Sequence, residues 1–197
     1  MFLETIRIVD GIIGNALAHE ERILQTATHF GFTAPKKFVA ELGRSLPHDL
    51  REGKVKCRVL YHEKIEEITF ERYIPKKVES LKLIEASPDY RFKYADRQVL
   101  EALLQQKGEC DEILITRNGF ITDTSYSNVV LARESKLFTP AQPLLNGTKR
   151  QQLLQRGIIQ TKDIHRDSLG EYERVILINA MLDMEDDISL AADRVQE

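Results

Sequence analysis

Apolar and polar residues alternate near the start of the chain in the way that predicts β-strands. FLETIRIV ends at Asp10-Gly11, a hairpin signal, so we predict a strand, a tight turn and a returning strand in IIGNALA. Apolar residues recur at helical spacing over residues 18–30 up to Gly31, and a second helix is predicted over residues 36–42. KVKCRVLYHE alternates again and should pair with EEITFERYI. Its predicted apolar face consists of Val55, Cys57, Val59 and Tyr61.

Short strands separated by single helices are predicted for the rest of the chain. ESLKLIEA is predicted to be a strand and residues 98–106 a helix, with Val99, Leu103 and Leu104 inward and Leu100 as a further candidate. The next predicted strands are EILIT, GFIT, VVLA and KLFTP. A helix over residues 148–155 and a late strand, ERVILIN, follow, and the acidic tail after Met184 is predicted to be frayed.

These elements predict an α+β (mixed α/β) fold with largely antiparallel sheets. Pro75 interrupts the strand pattern in YIPKK and makes this stretch the best linker candidate. We therefore predict two small sub-domains, residues 1–74 and residues 78–197, with Lys93 in the second.

Composition excludes several classes of protein. The 197 residues carry a net charge of −3 and no long run of Lys or Arg, so nucleic acid is not an expected partner. No apolar stretch has the roughly 20 residues that a membrane helix needs, and the N terminus does not resemble a signal peptide. Cys57 and Cys110 share no metal-like spacing and the histidines are scattered, which predicts a reduced cytoplasmic protein with no metal.

Two titratable residues are candidates for chemistry, each with an ordinary alternative. Lys93 in DYRFKYADRQ lies beside Phe92 and Tyr94, and a lysine in a desolvated pocket can form a Schiff base; the alternative is a surface lysine before a helix. Asp123, among the hydroxyl residues of NGFITDTSYSNVVL, can bind a cation or a protonated ring nitrogen; the alternative is a turn cap.

Two further features are candidates for binding an anion. In NGTKR, Gly147 leads into a predicted helix start that can hold a phosphate, although most helix starts bind only their own cap. Arg58 either faces solvent on its strand or reaches into a cleft to bind an anion in bidentate fashion. A lysine, a carboxylate, an arginine and a helix start are together the parts that pyridoxal phosphate requires.

The ordered motifs resemble those of the fold-type IV pyridoxal-phosphate enzymes, the class IV aminotransferase family. ETIRIVDG is similar to the family's early hairpin, HEERI to its H-x-x-R helix, and GFITDTSYSNVVL to its G-x-[VI]-T-E-x-x-x-S-N-[VIL] signature. KCRVLY, KYADR and FTP…LLNGTKR also have counterparts, so the resemblance covers nearly the whole chain. It implies the D-amino-acid aminotransferase-like fold, pyridoxal 5′-phosphate as cofactor, a small-molecule substrate and a homodimer.

The resemblance also implies roles for particular residues. Lys93 would hold the cofactor as a Schiff base, Arg58 would bind its phosphate, and Asp123 would hold its ring nitrogen protonated. Thr148, Lys149 and Asn179 would complete the cofactor site. Two departures are evident: Asp123 replaces a glutamate, and the chain begins at the ETIR hairpin, which predicts a shortened N-terminal sub-domain.

Within the family, the late segment YERVILINAMLDM is more similar to that of 4-amino-4-deoxychorismate lyases than to that of aminotransferases. Asn179 and Ala180 fall where aminotransferases have hydroxyl residues, and Thr5 falls on a threonine that serves proton transfer in the lyase. The favoured expectation is therefore the lyase reaction of folate biosynthesis. The alternatives are a branched-chain or D-amino-acid aminotransferase and a non-catalytic relative that binds a small ligand.

Overall fold

The computed structural model describes residues 1–36 and 38–197, and its contacts divide the chain into two units. The first unit is Met1–Ile74 with Phe92–Asp96, and the second is Pro75–Arg91 with Arg97–Glu197. Lys93 therefore belongs to the first unit, and its predicted place in the second was wrong. The cause is local backbone pairing, because the Leu3 N–H donates to the Lys93 carbonyl oxygen at 2.9 Å and Phe2 forms a β-bridge with Tyr94.

In the described part of the first unit, a four-stranded antiparallel sheet has the order β2-β1-β3-β4. The elements of this unit are β1 (Phe2–Val9), β2 (Ile12–Ile13), α1 (Ala16–Phe30), α2 (Phe38–Ser45), a 3-10 turn (His48–Leu50), β3 (Lys54–Tyr61) and β4 (Ile65–Arg72). The strong alternation of β3 predicted its faces correctly, since Val55, Cys57, Val59 and Tyr61 are all buried. Ile6 and Ile8 of β1 continue this apolar layer, which packs against residues of α1 and α2.

The returning strand predicted in IIGNALA is shorter than expected, because it ends at Ile13 and α1 begins at Ala16. Asn15 adopts a left-handed backbone conformation (φ 52°) and turns the chain into α1. The helix ends as predicted, at Gly31, which has φ 71°. The start of the second predicted helix includes Lys37, which lies outside the described residues; α2 itself continues to Ser45.

The second unit, all of whose residues are described, contains a nine-stranded mixed sheet with the path β10-β9-β8-β7-β6-β5-β13, while β11 pairs with β8 and β12. Its strands are β5 (Leu81–Glu85), β6 (Glu112–Arg117), β7 (Phe120–Thr124), β8 (Asn128–Arg133), β9 (Lys136–Pro140), β10 (Gln160–Lys162), β11 (Arg174–Ile178), β12 (Ser189–Ala191) and β13 (Val195–Gln196). Its helices are α3 (Gln98–Leu104) and α4 (Thr148–Gln155), with 3-10 turns at Gln105–Lys107, Arg166–Glu171, Met184–Asp186 and Ala192–Arg194. Strands β5, β6 and β13 pair in parallel, as do β9 and β10.

Two local predictions for this unit were wrong. In α3 the buried residue is Leu100, at 2% exposure, whereas Val99 is 61% exposed. The tail after Met184 is not frayed, because β12 pairs with β11 and β13 pairs with β5. Charged residues do not prevent this pairing, since Leu190 and Ala192 still supply buried apolar side chains.

A buried ionic cluster joins α1 to the sheet of the first unit. Glu4 of β1 is fully buried, and its carboxylate accepts hydrogen bonds from Arg22 Nε at 2.8 Å and from Arg22 Nη2 at 2.5 Å. His19 Nδ1 lies 2.6 Å from Glu4 Oε2. His19 and Arg22 are three residues apart on α1 and therefore lie on the same side of the helix.

The Glu4 carboxylate is ionised because its partners outweigh the effect of burial. Burial alone would raise the pKa of Glu4, but the charge of Arg22 and the hydrogen bonds from Arg22 and His19 lower it to about 2. Burial lowers the pKa of His19, which favours the neutral imidazole beside this carboxylate. Removing either member of the Glu4–Arg22 pair would leave a charge buried without its partner.

We predict that Glu4→Gln lowers the free energy of unfolding by about 3 kcal/mol at neutral pH, because Arg22 loses its counter-charge. The pKa of Glu4 is lower in the folded than in the unfolded chain, so its contribution is present above the unfolded value and is lost as the pH falls towards 2. Urea unfolding from pH 7 down to pH 3 should therefore show a shrinking difference between wild type and Glu4→Gln.

The control for this prediction is Glu71→Gln, which removes the ion pair of Glu71 with Lys56 on the exposed side of the sheet. It should cost less than about 1 kcal/mol, as exposed ion pairs do. Equal destabilisation by both variants would contradict the role assigned to the buried cluster.

Candidate functional site

The stretch Asn118–Leu131 forms a hairpin turn, strand β7, a short polar connection and strand β8. Asn118 and Gly119 make the turn with φ of 53° and 78°. Several hydroxyls of this stretch hold the connection together: Thr122 Oγ1 donates to the Ile115 carbonyl, and Thr124 Oγ1 lies 2.7 Å from Ser127 Oγ. Ser125 Oγ donates to the carboxylate of Glu112 at 3.0 Å. These hydroxyls therefore fix the connection between β7 and β8.

Asp123 is the buried carboxylate of this stretch, with 5% exposure. Its Oδ1 accepts a hydrogen bond from Asn128 Nδ2 at 2.8 Å, and its Oδ2 accepts one from the Leu145 N–H at 2.8 Å. Burial raises the pKa of Asp123 to about 6, although the hydrogen bonds from Leu145 and Asn128 and the charge of Arg150 oppose that rise. A buried, ionised carboxylate is stabilised by a cationic partner, because the opposite charge offsets the free-energy cost of removing the carboxylate from water.

The loop before α4 is built against Asn128. Asn128 Nδ2 also donates to the Leu145 carbonyl at 2.8 Å, and a Cβ placed on Gly147 would lie only 2.2 Å from Asn128 Oδ1. Only glycine, which has no Cβ, can lie this close to the Asn128 side chain. Gly147 is also the N-cap of α4 and provides no side-chain cap, so the start of this helix presents backbone N–H groups and its positive dipole end.

The other predicted cofactor residues of the second unit lie near the start of α4 and after β11. Thr148 and Lys149 are both buried in the first turn of α4. Lys149 Nζ donates to Asp183 Oδ2 at 2.5 Å and to Gln152 Oε1 at 2.9 Å, so its charge is already paired. Asn179 Oδ1 accepts from the backbone N–H groups of Met181 and Leu182 and closes a turn.

In the first unit, Lys93 lies in a short segment flanked by aromatic rings. The Phe92 ring lies 4.4 Å from that of His29 and 4.9 Å from that of Phe30, measured between centroids. Lys93 is half-buried, and its positive charge contributes to lowering the pKa of His19. The amino group is therefore in the electrostatic range of the cluster of Glu4, His19 and Arg22.

Arg58 and Thr5 are directly paired across β3 and β1. Both lie on the face of the sheet opposite the apolar core, with Thr5 half-buried and Arg58 exposed. Arg7 and Lys56 form the next pair on the same face, where Lys56 is ion-paired with Glu71 of β4. The structure thus brings together two of the predicted site residues, and their roles stay predictions.

The sequence prediction missed the buried partners of Arg22. This arginine is the last residue of the H-x-x-R motif, yet Arg58 was the arginine singled out for an anion. The sequence did contain a signal for this cluster. His19 and Arg22 have the spacing that places two side chains on one helix face, and Glu4 is a glutamate in a strand of alternating apolar and polar residues. Within residues 1–36 and 38–197, no group of three or more His, Cys, Asp or Glu side chains is arranged to hold a metal ion. In the same residues, no helix is long and apolar enough to cross a membrane.

Comparisons with known proteins identify close relatives. A protein of Haemophilus influenzae named "Uncharacterized protein" is 33% identical over 180 residues, which are 90% of this chain and 96% of that protein. The crystal structure of a "putative 4-amino-4-deoxychorismate lyase" from Haemophilus somnus has a TM-score of 0.82 and 33% identity, covering 91% of this chain and 95% of that one. A "Putative aminodeoxychorismate lyase" of Schizosaccharomyces pombe is 24% identical over 194 residues, covering 88% and 83% of the two chains.

The model of the family described as Amino-transferase class IV matches residues 1–184. The match spans both units and confirms the predicted family and the mixed α/β fold, and with them the expectation of a pyridoxal-phosphate-dependent enzyme. The chain belongs to the class IV aminotransferase family.

Proposed function

We propose that this protein is a pyridoxal-phosphate-dependent lyase that converts 4-amino-4-deoxychorismate to p-aminobenzoate and pyruvate. The observation that carries the choice of reaction is the turn after β11. Asn179 uses its side-chain oxygen to bind the N–H groups of Met181 and Leu182, at the place where aminotransferases are expected to carry hydroxyl residues. The relative from Haemophilus somnus, with its lyase name, supports the same choice.

The residues of the second unit fit the proposed cofactor. Asp123 is a buried carboxylate with a raised pKa, which suits a protonated ring nitrogen as its partner. Gly147 opens a helix start without a side-chain cap, which suits a phosphate. Thr148 and Asn179 are further candidates to line the cofactor site, and Lys149 would contribute charge that it shares with Asp183.

Pyridoxal phosphate, when bound, withdraws electrons from the substrate carbon that carries the nitrogen. Lys93 would hold the cofactor and then act as the general base that removes the proton from this carbon. The ether bond to the enolpyruvyl group breaks, the ring becomes aromatic, and Thr5 would deliver a proton to the departing enolpyruvate to give pyruvate. Arg58, paired with Thr5 across two strands, would bind the phosphate.

We further propose a pathway, a compartment and an oligomeric state for the enzyme. p-Aminobenzoate is a precursor of folate, which would place the reaction in folate biosynthesis. The buried free cysteines Cys57 and Cys110 suit a reducing, cytoplasmic compartment. We propose a homodimer, which is supported by exposed Leu17 and Leu24, seven residues apart on one side of α1.

The rival reaction is amino transfer, which the description of the family favours. The test is to incubate the purified, cofactor-loaded protein with 4-amino-4-deoxychorismate and, separately, with branched-chain or D-amino acids and a 2-oxo acid. Formation of p-aminobenzoate and pyruvate in equal amounts supports the lyase. Amino transfer without p-aminobenzoate would favour the rival, and no turnover of either substrate would favour a non-catalytic relative.

We predict that Lys93→Ala abolishes turnover and the visible absorption of a borohydride-reducible Schiff base, because no other amine would hold the cofactor. The fold should persist, since Lys93 bonds the sheet through its backbone carbonyl. Lys64→Ala, at an exposed position of the same unit, is the control and should keep the absorption. A reducible Schiff base in Lys93→Ala would assign the cofactor to a different lysine.

We predict that Arg58→Ala weakens cofactor retention by roughly 10- to 100-fold with little loss of stability, because a charged hydrogen bond to phosphate is lost. Dialysis of the loaded protein, followed by titration with pyridoxal phosphate, measures this change. Lys56→Ala removes one positive charge, ion-paired with Glu71, from the same face of β3 two residues away, and is the control. Equal affinities of the two variants for pyridoxal phosphate would indicate that Arg58 is an ordinary surface residue that does not bind the phosphate.

We predict that Asp123→Ala lowers kcat by roughly 100- to 1000-fold, because an unprotonated ring withdraws electrons poorly. Asp123→Glu should retain much of the activity, since it restores the longer carboxylate that the family signature carries. The comparison uses kcat for p-aminobenzoate formation at saturating cofactor. Full activity of Asp123→Ala would show that the carboxylate serves only to hold Leu145 and Asn128.

A further inference from the structure

Arg150 is a buried cation in the first turn of α4, with 5% exposure. Its Nη1 donates to Asn146 Oδ1 at 2.8 Å, and its Nη2 donates to the Pro140 carbonyl at 2.8 Å. Its Nε is buried and has no hydrogen-bond partner in the described structure. A buried arginine normally has a carboxylate as its direct partner, but both hydrogen bonds of Arg150 go to neutral oxygens.

Arg150 and Asp123 are held by adjacent residues of one loop. The Leu145 N–H binds the Asp123 carboxylate, and the Asn146 side chain binds the Arg150 guanidinium. Asn128 strengthens the connection, because its Nδ2 donates both to Asp123 Oδ1 and to the Leu145 carbonyl. The orientation of the carboxylate and the position of the guanidinium therefore depend on the same backbone.

The two groups also act on each other electrostatically. Burial raises the pKa of Asp123, the N–H groups of Leu145 and Leu144 and the Asn128 amide lower it, and the charged side chain that lowers it is Arg150. Burial lowers the pKa of Arg150, and the charge of Asp123 opposes this effect. The positive charge of Arg150 thus favours the ionised carboxylate in a site where burial opposes ionisation.

We propose that Arg150 is a positioning residue that keeps the Asp123 carboxyl ionised and correctly turned for a ligand with a protonated aromatic ring nitrogen. When a proton is shared between a carboxylate and a ring nitrogen, a cation closer to the carboxylate makes the carboxylate the weaker base. The proton then resides on the ring, which is the electron-withdrawing form. The identity of the ligand rests on the proposed function, whereas the effect of Arg150 on Asp123 is a property of the second unit.

The effect on Asp123 is tested without cofactor, by NMR titration of the 13C-labelled aspartate carboxyl groups, with Asp123→Asn used to assign the signal. Arg150→Gln keeps hydrogen-bond donors but removes the charge, and Arg150→Lys keeps the charge but removes the planar fork. Arg156→Gln, at the exposed C-terminal end of the same helix, is the matched control. The Asp123 midpoint should rise by roughly one pH unit in Arg150→Gln and stay near the wild-type value in Arg150→Lys and Arg156→Gln.

A wild-type midpoint in Arg150→Gln would overturn the proposal, as would equal shifts in Arg150→Gln and Arg150→Lys. If Arg150→Gln does not fold, the double variant Asp123→Asn/Arg150→Gln decides whether Arg150 acts through its charge or only through its hydrogen bonds. Folding should be restored when both charges are removed, and a double variant that also fails to fold would show that Arg150 acts only through its hydrogen bonds.

The consequence for the ligand is tested by comparing pyridoxal phosphate with its 1-deaza analogue, in which carbon replaces the ring nitrogen. The wild-type protein and Arg156→Gln should prefer pyridoxal phosphate, and this preference should fall roughly tenfold in Arg150→Gln and vanish in Asp123→Asn. An unchanged preference in Arg150→Gln would overturn the proposal. If wild type binds neither compound, the proposed function fails, and the cofactor-free titration still decides the role of Arg150.

Discussion

The hydrogen bonds of Asp123 connect three parts of the second unit. Asp123 lies in β7, Asn128 opens β8, and Leu145 precedes the helix α4. β7 and β8 pair at Asp123 and Asn128, and the amide–carboxylate hydrogen bond joins the same two residues. The identity of Gly147 follows from the same arrangement, because Asn128 occupies the space of its missing Cβ. The buried carboxylate of Asp123 therefore links β7 to β8 and to the loop that leads into α4.

Two buried carboxylates, Glu4 and Asp123, show how their surroundings decide between a structural and a chemical role. Glu4 has an arginine in direct contact, and this partner lowers its pKa to about 2. Asp123 has only neutral hydrogen-bond donors in contact, and burial raises its pKa to about 6. Glu4 is electrostatically satisfied by the chain itself. Asp123 is not, and a cationic ligand would complete its environment, which is the physical basis for the function proposed above.

Local patterns predicted those parts of the fold in which one face of an element is buried. β3 alternates because one face covers the core, and α4 was predicted with the bounds that it has, Thr148–Gln155. The pattern failed where burial is not periodic: Leu100 is the buried side chain of α3, Leu103 and Leu104 are half-buried, and Val99 is exposed. It also failed for the tail, since the pairing of β13 with β5 joins residues more than a hundred positions apart and leaves no local signal.

The candidate site was predictable as a set of residue types but not as a set of contacts. The family signature drew attention to Asp123, yet the sequence does not show that Lys149 is paired with Asp183 or that Asn179 closes a turn. Arg150 illustrates the difference most clearly. In the sequence it is the last residue of NGTKR and has no evident role, and a helix-start arginine is usually solvated. Burial makes its charge effective, because a guanidinium removed from water acts on Asp123 without the screening that a surface arginine would experience. The property that matters is therefore the burial of two charged side chains, which the sequence does not show.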